Sequence, residues 1–483
     1  MKREQFTIQT VSVIGLGKLG TPLVACCASK GFSVIGVDAN PEVVRLMEAG
    51  VASVPEPGLD ELLRSGHNRI LATLDCRHAV LNSDLSFIVV PTPSEPSGGF
   101  STQHVLSVAE MIGEALREKP GYHLIALVST VLPGTTEVDI KAVLEGSSGK
   151  KCGLDFGLCY SPEFIALGRV IRDMLNPDFI LIGESDPHSG ETLASFYRAF
   201  CDNDPAISRM NILNAELTKI SLNSYITMKI SFANNLAEIC ERLPGTDVDV
   251  VTSAMGQDTR IGRKYLKGAL GYGGPCFPRD NAAFAYMARQ VGAQPTMAEA
   301  TDSVNSRQIQ RLLEIVTSHL DRSRTRVGIL GLAYKPDTAV IEGSQSVELA
   351  QMLANQGVPT VVYDPVAMDH ARKVLGQRAL YARSMEECIQ EADVILLATP
   401  WAEFCEIRPE FFVSNSHRRV LIDCWRLLCP ADFRDVVEYV TIGMEMARPQ
   451  RSPAYVKGGN DDQPPSLAGH VVGAHRQASG RKG

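Results

Sequence analysis

The chain is expected to be an α/β protein with two Rossmann-like, doubly wound domains joined by a helical core with a long central helix. Three observations predict this. An apolar run, a glycine-rich turn and a helical stretch open the chain at 11–30, followed by a second apolar run ending at Asp38. Residues 212–242 contain neither proline nor glycine and repeat apolar residues at helical spacing. At 326–333 a second apolar run enters a second glycine turn, Arg326-Val327-Gly328-Ile329-Leu330-Gly331-Leu332-Ala333.

The first domain is expected over 1–203. After the strand at Val11-Ser12-Val13-Ile14 and its partner at Val34-Ile35-Gly36-Val37, short β-rich runs recur at 85–90, 124–128 and 179–183, with helical stretches between them. Such alternation builds a parallel sheet covered on both faces. The central region, 204–318, is helical, and its long helix ends at Leu243-Pro244-Gly245. About 30 residues at 1.5 Å each span about 45 Å, enough to join domains and subunits. The third region, 319–446, repeats the doubly wound pattern with strands at 361–363, 394–398 and 420–423, but without the full three-glycine turn. Residues 447–483 are rich in Pro, Gly, Ser, Gln and basic residues, the composition of a disordered tail.

Composition narrows the class. The 483 residues are 45% hydrophobic and 21% charged, with a formal net charge of −8. That is an ordinary soluble protein, and its charge argues against a general nucleic-acid binder. No apolar run approaches the roughly 20 residues of a membrane span, and the N-terminal residues carry no signal-peptide core. Twelve cysteines include no Cys-x-x-Cys pair, so no metal site is expected and a reducing cytoplasm is.

The first turn points to a dinucleotide. Gly15-Leu16-Gly17-Lys18-Leu19-Gly20 follows a strand and opens a helix. Gly15 permits the tight turn, Gly17 lets a pyrophosphate approach, and Gly20 allows close helix packing. Asp38 ends the next strand, where a carboxylate accepts from ribose hydroxyls and repels a 2′-phosphate. NAD is therefore expected over NADP. Far downstream, Cys276 sits in Gly273-Gly274-Pro275-Cys276-Phe277-Pro278-Arg279-Asp280. A thiol beside a nicotinamide can hold an aldehyde as a thiohemiacetal that loses a second hydride, which takes an alcohol to a carboxylate on one enzyme. Cationic neighbours would raise its thiolate fraction, and the glycines before it would let a ligand approach the backbone.

With these motifs in place the chain resembles the UDP-glucose/GDP-mannose dehydrogenase family over about 11–404. The resemblance rests on ordered segments: Glu56-Pro57-Gly58-Leu59-Asp60-Glu61-Leu62-Leu63, Pro91-Thr92-Pro93, Ser129-Thr130-Val131-Leu132-Pro133-Gly134-Thr135-Thr136, Ser161-Pro162-Glu163-Phe164, Ala215-Glu216-Leu217-Thr218-Lys219, the Cys276 segment, and Gly331-Leu332-Ala333-Tyr334-Lys335-Pro336. It implies an NAD domain, a dimerising helical core, a nucleotide-sugar domain, and oxidation of a sugar C6 hydroxyl to a carboxylate with two NAD+.

Roles follow by resemblance. Cys276 matches the nucleophile and Asp280 an aspartate assisting proton transfer, with an N-cap or a salt bridge to Arg279 as the structural alternative. Lys219 and Asn223, four residues apart on one helical face, stabilise the developing oxyanion by charge and by an amide donor. Glu163 handles protons and water, and Thr130 positions water. Lys18, Leu19, Pro91, Thr92 and Thr130 join the cofactor site, while Phe164, Tyr272, Gly273 and Lys335 join the substrate site. Arg260 resembles an arginine that reaches into the partner subunit's sugar site, which makes a homodimer or a higher homo-oligomer the expected assembly.

Two positions depart from the family pattern. Leu167 replaces a second glutamate after Pro162-Glu163. Glu342 stands where an arginine is expected, and an acid there would repel a pyrophosphate rather than clamp it. Arg307 is one base that could substitute. UDP-glucose to UDP-glucuronate is the simplest reaction, with GDP-mannose or another nucleotide sugar as the close alternative. A two-electron 3-hydroxyacid-type dehydrogenase would not need Cys276, and a sugar-nucleotide sensor would bind without turnover.

Overall fold

The computed structural model describes residues 7–322, 324–413 and 418–444; the expected tail at 447–483 lies outside them. The first sheet contains β1 (Thr10–Ile14), β2 (Ser33–Val37), β3 (Ile70–Thr73), β4 (Leu85–Ile88), β5 (Leu124–Leu127), β6 (Gly157–Tyr160), β7 (Phe179–Glu184) and β8 (Ala206–Asn211). Its order is β3-β2-β1-β4-β5-β6-β7-β8. All neighbours are parallel except β6 and β7. Chain direction across the sheet reverses between β1 and β4, and a crevice at the carboxyl ends of such strands is where ligands bind. The strands are apolar because both faces are covered: Val11, Val13, Phe87, Leu124 and Ala126 face one core cluster, Ile14, Ile88, Ile125 and Leu127 the other.

Strand β8 lies past residue 203, in the segment expected to open the helical region. It joins the first sheet because Ala206–Asn211 pairs residue for residue with Phe179–Glu184. The long helix follows without a linker. It spans Ile212–Cys240, 29 residues, and starts where the Asn211 side chain accepts from the Asn214 amide at 2.9 Å. Its buried face is unusually polar, holding Glu216, Lys219, Asn223, Thr227 and Asn234. Buried polar groups of this kind need partners. Asn234 accepts from the Ala269 amide at 2.8 Å and donates to the Leu270 carbonyl at 3.1 Å, while Ser224 donates to Asn281 at 2.8 Å. These bonds fix the register of the long helix against the Cys276 segment and the helix Phe277–Gln290 that follows it.

The second sheet contains β9 (Val327–Leu330), β10 (Thr360–Tyr363), β11 (Leu380–Tyr381), β12 (Val394–Leu397), β13 (Arg419–Asp423) and β14 (Val437–Thr441). Its order, β11-β10-β9-β12-β13-β14, repeats that of the first six strands of the first sheet, and every pair is parallel. Among the described residues, no helix is long and apolar enough to cross a membrane, and no group of three or more His, Cys, Asp or Glu could hold a metal ion.

Candidate active site

The glycine turn after β1 is held shut by its neighbours. Gly15 has φ +100°, and a Cβ there would sit 2.8 Å from the Val89 carbonyl oxygen beyond β4. A Cβ on Gly20 would collide with the Gly15 carbonyl, whereas Gly17 faces open space. Lys18 is exposed and Leu19 half-buried at the start of the helix Gly20–Ser29. Asp38 accepts from the Leu16 amide at 2.8 Å and the Asn40 amide at 2.9 Å. It is only half-buried, and each of its oxygens accepts one of these two bonds, which leaves capacity for a ribose. Across the crevice, Pro91 is exposed, and buried Thr92 donates to the Thr130 carbonyl at 2.7 Å. These groups fit a dinucleotide: an unobstructed glycine at a helix N-terminus for the pyrophosphate and a carboxylate for the ribose.

The second glycine turn contrasts with it. Asp364, at the end of β10, accepts from the amides of Leu332 (2.7 Å), Ala333 (2.9 Å), Val366 (3.0 Å) and Ala367 (2.8 Å) and from the Trp401 indole (3.2 Å). It is 1% exposed, so it has nothing left to offer a ribose.

Between the sheets the chain gathers the reactive side chains. Cys276 occupies the N-cap position of the helix Phe277–Gln290, with no capping bond from its side chain, and is exposed. One turn on, Asp280 is buried and accepts from Asn223 Nδ2 at 2.6 Å and Arg279 Nε at 3.2 Å. The aspartate thus makes the salt bridge to Arg279 and also binds Asn223. Lys219 is buried on the same face of the long helix, donates to the Glu163 carbonyl, and lies 4.6 Å from the centre of the Phe164 ring. Phe164 in turn packs on Phe179 at 4.8 Å.

Burial sets the proton affinities. Glu163 is pushed up to about 7 by desolvation, with the Lys219 charge pulling the other way. Lys219 is lowered by desolvation, opposed by the charges of Asp280, Cys276 and Glu163. The cations expected beside Cys276 are there, since Lys219 and Arg279 both favour its thiolate. Their effect is outweighed: desolvation first, then Asp280 and Glu342, leave the thiol raised. Although the residue is exposed by area, the groups around its sulfur exclude enough water to disfavour charge.

The glycines before Cys276 serve packing within the chain. A Cβ on Gly274 would lie 2.5 Å from the Tyr334 ring, one on Gly273 would collide with the Gly343 carbonyl, and the Gly274 amide donates to the Glu342 carbonyl at 2.8 Å. The close approach expected of a ligand is made by the loop after β9. Tyr272 is likewise engaged: its hydroxyl donates to Asp302 and its amide to Asn305 at 2.8 Å. Its ring borders a pocket of about 310 Å³ shared with Pro278, Asn305, Gln345 and Glu348.

Lys335 donates to the Leu167 carbonyl and to the Pro336 carbonyl at 3.3 Å. Leu167 itself packs on the first core cluster, so the position expected to hold a second glutamate is apolar. Glu342 is exposed, with a carboxylate close enough to Cys276 to disfavour the thiolate. Arg307 is paired with Glu238 at 2.7 Å. Arg260 is not brought to the cluster: its side chain is 86% exposed and pairs with Asp258 at 2.6 Å.

Several residues have a part in the site that the sequence, even where it places them in a motif segment, does not assign. Tyr265 adopts φ +66°, a left-handed conformation that is uncommon outside glycine, and sets its ring edge-on to Phe277 at 6.1 Å. Tyr334 is raised by burial and is near enough to feel the charges of Cys276 and Tyr265. Glu216 and Glu56 are backbone clamps. Buried Glu216 binds the amides of Gly134 (2.6 Å) and Thr136 (2.8 Å), and Glu56 binds those of Gly168 (3.1 Å) and Val170 (2.7 Å).

Family comparisons match this arrangement in order. The NAD binding domain of the UDP-glucose/GDP-mannose dehydrogenase family matches residues 9–201, its central domain 213–307 and its UDP binding domain 328–430. The chain belongs to the UDP-glucose/GDP-mannose dehydrogenase family. It is 36% identical over 421 residues to a UDP-glucose 6-dehydrogenase of Haloferax volcanii, covering 86% of this chain and 97% of that one. A GDP-mannose 6-dehydrogenase of Pseudomonas aeruginosa is 34% identical over 402 residues, covering 80% and 90%. A solved UDP-glucose dehydrogenase of Pyrobaculum islandicum superposes with a TM-score of 0.82 at 32% identity, covering 92% and 99%. The chain is a nucleotide-sugar dehydrogenase with the family's NAD binding domain.

Proposed function

We propose that the protein oxidises the C6 hydroxyl of a nucleotide sugar to a carboxylate, most simply UDP-glucose to UDP-glucuronate. The observation that carries this reading is the cluster at the Cys276 helix: a thiol, a buried lysine and an amide–carboxylate pair on facing helices. Bound NAD+ supplies the hydride acceptor for each of two oxidations. The chain's residues do the rest. Lys219 and an Asn223 amide hydrogen stabilise negative charge on the C6 oxygen. Asp280 orients Asn223 through the 2.6 Å bond. Once C6 is an aldehyde, Cys276 Sγ adds to it and its proton passes to a neighbouring base, giving a thiohemiacetal. Loss of the second hydride leaves a thioester. Glu163, ionised, takes a proton from water as that water attacks the thioester, and the thiol leaves reprotonated. The sum is one alcohol, two NAD+ and one water to one carboxylate, two NADH and three protons.

The domain division proposed with this reading is 1–203, 204–318 and 319–446, with β8 (Ala206–Asn211) carried into the first domain by its pairing with β7. The assembly proposed is a dimer through the long helix. Tyr225, Phe232 and Ile239 are exposed at seven-residue spacing along it, with Leu213 and Leu217 exposed one end further. Arg260 is 86% exposed and held by Asp258 of its own chain, a pairing it would exchange for the partner's sugar site in that dimer. The test is a panel of UDP- and GDP-sugars with NAD+, with products identified by mass. A C6 acid from UDP-glucose supports the reading. A C6 acid from GDP-mannose alone moves the activity to that nucleotide, and binding without product refutes it.

A further inference from the structure

Arg279 is shared by three elements. Its Nε donates to Asp280 Oδ1 at 3.2 Å, its Nη1 donates to the Thr92 carbonyl at 3.3 Å, and its guanidinium lies 4.7 Å from the centre of the Phe100 ring. Thr92 follows β4 and bonds to the Thr130 carbonyl beyond β5, so both residues belong to the rim of the dinucleotide crevice. Asp280 is 1% exposed, and its other oxygen holds Asn223. A continuous run of contacts therefore leads from the crevice rim through Arg279 to the oxyanion-binding amide. The guanidinium suits this place because its planar fork offers separate donors to two acceptors while its face stacks on an aromatic ring. An ammonium would have to serve both acceptors from one nitrogen and has no planar face to lay on the ring.

We propose that Arg279 is a positioning residue that couples the dinucleotide crevice to the Asp280–Asn223 pair through its bridge between the Thr92 carbonyl and the Asp280 carboxylate. The inference rests on the NAD-dependent reading above. When the crevice rim is drawn onto a bound dinucleotide, Thr92 moves with it, and Arg279 passes that shift to Asp280. The orientation of Asn223 at the reacting carbon then depends on cofactor occupancy. Arg279 also acts by charge, as one of the two cations that favour the Cys276 thiolate. The two effects separate on substitution, because lysine keeps the charge and loses the bridge.

The experiment uses the full chain and the variants Arg279→Lys and Arg279→Ala. Cys276 alkylation by iodoacetamide is followed against pH, with and without ADP-ribose, which fills the crevice without a nicotinamide that could shield the thiol. In the wild type, ADP-ribose is expected to change the alkylation rate at least twofold. In Arg279→Lys the ligand-free profile should stay in place while the response to ADP-ribose disappears. In Arg279→Ala the response should disappear and the profile should move to higher pH. With a turned-over nucleotide sugar, Arg279→Lys should lower kcat about tenfold and change the sugar KM less than twofold. An unchanged thermal melt in Arg279→Lys would set misfolding aside. No ADP-ribose response in the wild type, or the same response in Arg279→Lys, overturns the proposal. The alkylation arm needs no turnover, so failure of the coupling is distinguishable from failure of the proposed reaction.

Discussion

Replacing Glu163 with Gln isolates the proton-handling half of the reaction. The carboxyl is pushed up to about 7 by burial, against an ordinary value near 4.5. A base with that affinity is about one-tenth ionised at pH 6 and about nine-tenths ionised at pH 8. Thioester hydrolysis should therefore rise roughly tenfold across that range in the wild type. In Glu163→Gln it should fall by a factor of about 10² to 10⁴, the usual contribution of a positioned base, and lose its pH dependence. Leu167 sharpens the expectation, since a partly buried apolar side chain packed against the core stands where a second carboxylate could have shared the work. In rapid-quench experiments the variant should release two NADH per site in a burst and then stall, with the acyl group on Cys276 trapped by hydroxylamine. Stability should move oppositely. A carboxyl whose folded pKa lies above its unfolded value loses stability as pH rises from about 4.5 to about 7. The variant should thus be more stable than wild type at pH 8, by up to about 3 kcal/mol from the 1.36 kcal/mol per pKa unit, and no more stable at pH 4. A variant with steady-state turnover within threefold of wild type and the same pH profile would refute the role.

Three further outcomes follow from the packing. Gly274→Ala puts a Cβ 2.5 Å from the Tyr334 ring at φ +82° and should destabilise the protein by about 1–3 kcal/mol in urea unfolding; an unchanged midpoint would remove the argument from contact. Glu342→Arg replaces a charge that disfavours the Cys276 thiolate with one that favours it, so the alkylation profile should move to lower pH; no movement would place that side chain too far from the sulfur to matter. Phe232→Asp sets a charge in the exposed apolar stripe of the long helix and should lower the mass seen in sedimentation from dimer to monomer; a monomeric wild type would refute the dimer itself.

The elements that were legible are those with a local signal. The turn at Gly15–Gly20 could be read because each glycine meets a short-range demand, and the long helix because the 31 residues 212–242 without proline or glycine leave little else to form. Strand β8 carries no such local signal: its burial alternates only weakly, and it is made a strand by its pairing with β7. The segments containing Glu56 and Glu216 could be recognised as motifs, but their work as clamps on amides about 80 to 114 residues away exists only in the fold. The same holds for the Gly273-Gly274 pair, whose missing side chains make room for Tyr334 and Gly343. Residue type correctly suggested cations near Cys276, but the sign of the net effect depends on desolvation, which sequence does not encode locally. Asp38 and Asp364 show the limit most clearly. Both end the second strand of a doubly wound sheet and both hold a glycine turn, yet only the half-buried one retains capacity for a ribose.

The most direct test of the central claim is the stoichiometry of NADH to sugar. Purified protein is given excess NAD+ and a limiting amount of the nucleotide sugar it turns over, with absorbance at 340 nm read to completion and the product weighed by mass spectrometry. The account predicts two NADH per sugar and a C6 carboxylate. One NADH per sugar, with an aldehyde or ketone as the end product, would contradict the thioester chemistry assigned to Cys276.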